Sequence, residues 1–299
     1  MLAITWAGGR HPPHSGPSSE MNVSLRTLSS ERADDHPEIA ERLRRGPTPC
    51  AGHIEEGQEV LLQATLNGAL SKADHPAVPV TLEELAADAA SCAVAGARAF
   101  HVHPRDEAGD ERLDGATVDK VVAVVRGRHG LPVGVTTGAW IEPDVARRVA
   151  LISKWTEPDY ATVNLSEDGS LEIMQTLLQA GIGVEAGVWT VADAELLLSS
   201  GLADRMLRIC VEPVEVSRAD ALGLVSAIHD VLDEGNVGPP RLQHGDGEAT
   251  WVLIEDAITR GIDTRIGLED TLLLPEGTLA ASNADLVRAA YHLGAGQPA

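Results

Sequence analysis

Ala99-Phe100-His101-Val102-His103-Pro104-Arg105-Asp106 is the stretch on which the reading of this 299-residue chain turns. Phe100 and Val102 are strand formers, and alternate residues of a strand point the same way. His101 and His103 can therefore aim two imidazoles at one point, the geometry of a pair of metal ligands. Pro104 breaks the run, so both histidines stand at the C-terminal end of their strand. Taken alone, the pair also fits two ordinary polar residues. The place of the strand in the whole chain separates these readings.

Working outward, strand and helix signals alternate from Val60 onward. Leu61–Leu66 is an apolar run closed by Asn67-Gly68. Thr81-Leu-Glu-Glu84 is a capping box that opens a helix to about Ala97. After the histidine strand, Ala99–Val102, come a helix over Val118–Arg128 and a strand over Pro132–Thr137, closed by Gly138. Pro143–Trp155, Leu171–Ala180 and Ala192–Ser199 read as helices, with strands at Tyr160–Leu165, Gly183–Trp189 and Arg205–Val211. Ser217 caps a helix to about Asp233. Arg241–His244, Glu248–Thr259, Thr264–Leu268 and Asn283–His292 complete the series. Eight strand–helix pairs over roughly 240 residues predict a single (β/α)8 TIM barrel over residues 59–299. A doubly wound open sheet is the alternative, but Asn67-Gly68-Ala69 is not the glycine-rich turn such a sheet uses.

Residues 1–58 read differently. His-Pro-Pro-His, Ser-Gly-Pro-Ser-Ser and Arg-Gly-Pro-Thr-Pro carry little hydrophobic periodicity, so this segment is expected to be a mostly disordered or loosely packed extension. Met21 is an alternative start, and Ser30–Arg45 is expected to hold a short charged helix. The formal net charge of −22 argues against a nucleic-acid partner. No apolar run reaches membrane-spanning length, and the first residues lack a signal-peptide pattern. Three unpaired cysteines, Cys50, Cys92 and Cys210, fit a reducing cytoplasm. A homo-oligomer, dimer or tetramer, is expected.

In a (β/α)8 barrel the active site lies at the C-terminal ends of the strands. Polar residues collect there: Asn67, His101 and His103, Thr136 and Thr137, Thr162 and Asn164, Glu185, Glu212, His244, then Glu269 and Asp270. Closure puts the last strand beside the first, so Glu269 lies two strands from the histidines. Two His and one carboxylate leave a position open for substrate, which describes a catalytic zinc site. Each residue also has a plainer reading. Asn67, Thr136 and Thr162 serve as turn residues; Glu212 before Pro213 reads as a solvated loop acid, and Cys210 as core. His244 is a ligand-orienting donor, a third metal nitrogen or a polar strand end. Glu185 faces the barrel interior, where a lone buried acid points to function. Arg265 needs a carboxylate partner if its head group enters the barrel, and otherwise points to solvent at the bottom.

The pattern resembles the β-keto acid cleavage enzymes, typified by the 3-keto-5-aminohexanoate cleavage enzyme. The residues that carry the resemblance are Asn67-Gly68-Ala69 with Lys72-Ala-Asp74-His-Pro76 and Pro79-Val-Thr81, His101-Val-His103, Thr136-Thr137-Gly138, Ala161-Thr162-Val-Asn164, Arg265-Ile-Gly-Leu-Glu269-Asp270 and Ser282-Asn283-Ala284. They run in the family's order from about Leu61 to Gly296. The resemblance implies a zinc-bearing barrel with His101, His103 and Glu269 as ligands, Asp270 as general base and Arg265 paired with it. Thr136, Thr137, Gly138, Thr162 and Asn164 match the loop ends that hold the keto acid's carboxylate, with Asn67, Leu70 and Lys72 also at the substrate. The implied reaction is a retro-Claisen-type exchange: a β-keto acid and acetyl-CoA give acetoacetate and a new acyl-CoA. If Asp270 is not the base, Glu185 is the next candidate.

Two departures from the type member stand out. Leu70 replaces an acid that takes the substrate's ammonium group. On the fifth strand one of two alternating acids remains, Glu185, with Gly187 at the other place. Both favour a substrate without an amino group, and Lys72 would suit one with a second carboxylate. A zinc hydrolase barrel and a non-catalytic metal-binding barrel are the competing readings. The first would add a metal ligand on a later strand, where His244 alone is a candidate; the second has no use for Arg265 and Asp270.

Overall fold

A computed structural model describes residues 60–297. The expected extension over residues 1–58 and the short helix expected over Ser30–Arg45 lie outside the described residues. Eight parallel strands close in sequence order: β1 Leu62–Thr65, β2 Ala99–Val102, β3 Val133–Thr136, β4 Tyr160–Asn164, β5 Gly183–Val188, β6 Arg208–Val211, β7 Arg241–Gln243 and β8 Asp263–Gly267. The helices between and after them are α1 Leu82–Ala95, α2 Gly115–Arg126, α3 Val145–Ile152, α4 Ser170–Gln179, α5 Val191–Ser200, α6 Arg218–Glu234, α7 Thr250–Arg260 and α8 Asn283–Leu293. The molecule is a (β/α)8 TIM barrel, as the alternation predicts. Among the described residues no helix is long and apolar enough to cross a membrane.

Period-two alternation sorts the strand residues. Leu62, Ala64, Phe100, Val102, Val133 and Val135 are fully buried in the apolar layer between strands and helices. Burying each of the Leu, Phe and Val side chains among them stabilises by about 1.5–3 kcal/mol. Many residues of the opposite phase turn into the barrel and are polar: Gln63, Thr65, His101, Thr162, Glu185 and Arg208 are all buried. Inside, Gln63 Nε2 donates to Tyr160 Oη at 2.8 Å and Glu185 Oε1 at 2.9 Å, and Arg208 Nε meets the same carboxylate oxygen at 3.0 Å. This hydrogen-bonded layer forms the floor beneath the strand ends.

Thr81 caps α1 in the expected capping box with Glu84, and Ser217 caps α6. Boundaries move where a cap outranks periodicity. The helix expected from Pro143 begins after Asp144, whose side chain accepts from Arg147 N–H. The helix expected from Glu248 starts with a 3-10 turn, Gly247–Ala249, before α7.

Register sets the site. Thr65 of β1 is level with His101 of β2 on one side and with Gly267 of β8 on the other. Glu269 and Asp270, just past Gly267, therefore meet the histidines across the closure of the barrel. The turn after β1 comes equally close: a Cβ on Gly68 would lie 2.6 Å from Glu269 Cγ, and Gly68 has φ +53°. Only glycine satisfies both demands.

Candidate active site

β2 delivers its two histidines with the same ring nitrogen, Nδ1, of each already engaged. His103 Nδ1 is 2.6 Å from Glu111 Oε1, and His101 Nδ1 is 3.4 Å from the Thr162 hydroxyl. That hydroxyl in turn donates to Glu185 Oε2 at 2.9 Å. Both Nε2 atoms turn toward one oxygen, and wherever Nδ1 carries the ring's single hydrogen, Nε2 is left with a lone pair. Glu269 Oε1 lies 3.8 Å from His101 Nε2 and 3.7 Å from His103 Nε2. Ligand atoms of these three residues all lie within 4.8 Å of one another.

The residues present fit a metal ion. Burial, with the Arg265 and His103 charges, pushes the His101 imidazole well below its ordinary range, into the neutral form that ligates metals. Glu269 Oε2 is buried with no hydrogen-bond partner among the described residues. Such an oxygen is costly unless a ligand meets it. Carboxylate and hydroxyl partners behind the rings orient metal-binding histidines. Burial raises the Glu111 carboxyl, but the hydrogen bond and charge of His103 outweigh it and hold Glu111 below its usual range. Glu111 Oε2 also accepts from Trp140 Nε1 at 3.1 Å, and the indole stacks on His103 with centroids 5.9 Å apart.

Beside this cluster stands a second one. Arg265 enters the barrel rather than pointing to solvent. Its Nη2 donates to Asp270 Oδ1 at 2.9 Å and to Glu269 Oε1 at 3.0 Å. Burial opposes its charge, yet Asp270, Glu269 and Glu212 hold its pKa well above the ordinary value. Thr65 Oγ1 donates to Asp270 Oδ2 at 2.6 Å. Both oxygens of Asp270 thus accept hydrogen bonds, which fixes the carboxylate's orientation.

The remaining expected site residues divide by what they touch. Asn67 is a backbone clamp: it accepts from His103 N–H at 2.9 Å and donates to His103 O at 3.0 Å. Thr137 donates to Thr162 O, and Thr136 Oγ1 accepts from Gly138 N–H. Asn164 Nδ2 donates to Glu167. Glu185 is held by Gln63, Arg208 and Thr162 rather than facing Asp270. Leu70 is half-buried against the apolar core, and Lys72 pairs with Glu84 at 2.7 Å at the start of α1. Glu212, expected to be a solvated loop acid, is 5% exposed instead. Its carboxylate accepts from Trp189 Nε1 at 2.8 Å and meets His244 Nε2 at 2.7 Å. Cys210 is core, as expected. Sequence reasoning missed Glu111, Trp140 and Arg105. Arg105, inside the opening stretch, donates from Nη2 to Gly68 O and Leu70 O, both at 2.7 Å, and so pins the turn facing Glu269.

Residues 59–296 match the family model of the beta-keto acid cleavage enzymes. The chain belongs to that family. Its members are enzymes that cleave a β-keto acid, and the match spans the whole barrel. One curated relative is the 3-keto-5-aminohexanoate cleavage enzyme of Fusobacterium nucleatum subsp. nucleatum, 25% identical over 256 residues, or 79% of this chain and 91% of that one. Among solved structures, ObcA in binary complex with oxaloacetate aligns at TM-score 0.59 and 15% identity. The alignment covers 73% of this chain and 63% of ObcA, so the present chain spans under two thirds of that protein. The 3-dehydroquinate dehydratase of Geobacillus kaustophilus HTA426 aligns at TM-score 0.52 and 12% identity, over 80% and 93% of the two chains. At such identities these two structures share the barrel alone with the beta-keto acid cleavage enzyme described here.

Proposed function

We propose that this beta-keto acid cleavage enzyme is zinc-dependent and exchanges acyl groups between a β-keto acid and acetyl-CoA, releasing acetoacetate and a new acyl-CoA. The observation that carries the reading is the convergence of His101, His103 and Glu269 beside the Arg265–Asp270 pair. His101, His103 and Glu269 hold the ion, which when bound supplies a Lewis acid that polarises a carbonyl group. Asp270, fixed by Arg265 and Thr65, takes a proton from the carbon between the two carbonyls of the keto acid. Arg265 keeps that base in place and balances its charge. The ends of β3, at Thr136–Gly138, and of β4, at Asn164, receive the substrate's carboxylate. Among them Thr136 is the hydroxyl that accepts from Gly138 N–H and keeps its own hydrogen for that purpose. Thr162 serves through His101 instead, and Glu185 through Thr162.

The substrate we infer carries no amino group. An ammonium facing Leu70 would be desolvated without a partner, whereas an apolar chain gains about 0.8 kcal/mol per buried methylene. Lys72 is engaged by Glu84 and Pro76 O, so it balances charge in its own loop. A panel of β-keto acids assayed with acetyl-CoA tests this reading. Neutral keto acids are expected to react far better than 3-keto-5-aminohexanoate, and Leu70→Glu to shift kcat/KM toward the amino substrate. Preference of the unmodified enzyme for the amino substrate over neutral acids of equal length would refute it.

Glu111 gives a test of the metal site that leaves the ligands untouched. Glu111→Gln is expected to weaken zinc binding by roughly 10–100-fold, because His103 loses the carboxylate that orients it. Competition with a chromophoric chelator measures this directly. Unchanged affinity would mean that Asn67 and ring packing alone hold His103.

A further inference from the structure

Glu212 and His244 have no part in the reaction outlined above, although His244 touches its base and Glu212 touches His244. Glu212 is met by three donors: Trp189 Nε1 at Oε1, and His244 Nε2 and Cys210 Sγ at Oε2. Burial pushes the Glu212 carboxyl up, but the hydrogen bonds from His244 and Trp189 and the Arg265 charge hold it below its ordinary range. A carboxylate offers only lone pairs, so the hydrogen shared by the pair sits on His244 Nε2. The far side of the ring is then Nδ1. That atom is buried, has no hydrogen-bond partner among the described residues, and lies 3.5 Å from Asp270 Oδ1. In the tautomer with its hydrogen on Nε2 alone, Nδ1 and Asp270 Oδ1 are two acceptors facing each other, an arrangement that a proton shared between them makes favourable.

The surroundings hold this spacing. Thr250 Oγ1 donates to Gly245 O at 3.0 Å and Asp270 O at 3.1 Å, tying the end of β7 to the end of β8. Gly247 N–H also donates to Asp270 O, at 2.8 Å. On the other side, β5 makes room for the carboxylate. A Cβ on Gly187 would stand 2.7 Å from Glu212 Oε1 and 2.5 Å from Asn164 Oδ1. Where the resemblance leads one to expect an acid on β5, the neighbouring strand supplies one instead.

We propose that His244, its tautomer fixed by Glu212, is a positioning residue for Asp270: its Nδ1 lone pair receives the hydrogen that Asp270 carries after taking a proton from the substrate. The inference rests on Asp270 being the base. In that step the substrate C–H bond breaks, its electron pair stays on the substrate as an enolate, and an O–H bond forms on Asp270. The hydrogen bond to Nδ1 then holds the protonated carboxyl in place for the return of the proton. His244 itself gains and loses no covalent bond.

The test uses the metal-loaded full chain. His244→Phe keeps a ring and removes the acceptor, whereas His244→Gln keeps an acceptor. Phe is expected to lower kcat about 10- to 100-fold, the worth of one hydrogen bond in a charged network, with KM and metal content near wild type. Gln is expected to recover much of the loss. Histidine 15N NMR should show His244 protonated at Nε2 and bare at Nδ1 in the free enzyme, its signal identified by its absence from the variants. Wild-type kcat in His244→Phe, alongside an inactive Asp270→Asn, would overturn this inference alone. Wild-type kcat in Asp270→Asn would overturn the assignment of the base itself. A protonated Nδ1 in the free enzyme, or equal losses in the Phe and Gln variants, would also overturn the role given to His244. So would a second bound metal ion lost in Cys210→Ser, since Cys210, Glu212 and His244 would then be its ligands.

Discussion

Asp270→Asn is expected to fold, to bind zinc, and to lose about 10²- to 10⁴-fold in kcat, the usual worth of a positioned general base. Asparagine is close to isosteric with aspartate and can still accept from Arg265 or Thr65, which reach the two carboxylate oxygens at 2.9 and 2.6 Å. The substitution removes the proton acceptor, together with one of these two hydrogen bonds and the charge that pairs with Arg265. The cost should therefore fall on turnover, with KM for the keto acid changed far less. Circular dichroism and metal content should match the unmodified protein. Near-native kcat would move the base elsewhere. Glu185 is then the next acid to test, although Gln63, Arg208 and Thr162 already occupy it.

His101→Ala and Glu269→Ala should lose metal and activity together. Each removes one of three ligands that leave no redundancy, and Lewis-acid stabilisation of a carbonyl is worth several kcal/mol, roughly 10³-fold or more in rate. Glu269→Ala has a second effect, since among the described residues Arg265 Nη2 then keeps Asp270 as its one carboxylate partner within 4 Å. Elemental analysis after dialysis measures the loss. Chelation of the unmodified protein should reproduce it, and added zinc should reverse it there but not in the variants. Full zinc occupancy in both variants would place the metal elsewhere.

The barrel was legible because its signals are local. Strand and helix periodicities alternate, Thr81 and Ser217 announce caps, and Pro104 marks where the histidine strand stops. The meeting of Glu269 with His101 was legible one level up, from closure of a barrel whose strands run in sequence order. What surrounds the site was not. Glu212-Pro213 reads as a solvated turn, and only the neighbouring strands show that Trp189 and His244 bury it. The signal available was its place at a strand end, the same argument that singled out His101. Glu111 and Trp140 sit on loops beyond β2 and β3, where no periodicity says that one carboxylate bridges an imidazole and an indole. The resemblance puts Thr162 at the substrate's carboxylate, but its hydrogen is committed to Glu185, a partner fixed by register with β5.

The central claim, acyl exchange rather than hydrolysis, is tested most directly by tracing carbon from acetyl-CoA. With acetyl-CoA labelled with 13C at the acetyl carbonyl and an unlabelled neutral β-keto acid, the account predicts acetoacetate labelled at its keto carbon, formed in equal amount with the new, unlabelled acyl-CoA. Consumption of the keto acid with all the label remaining in acetyl-CoA would contradict it.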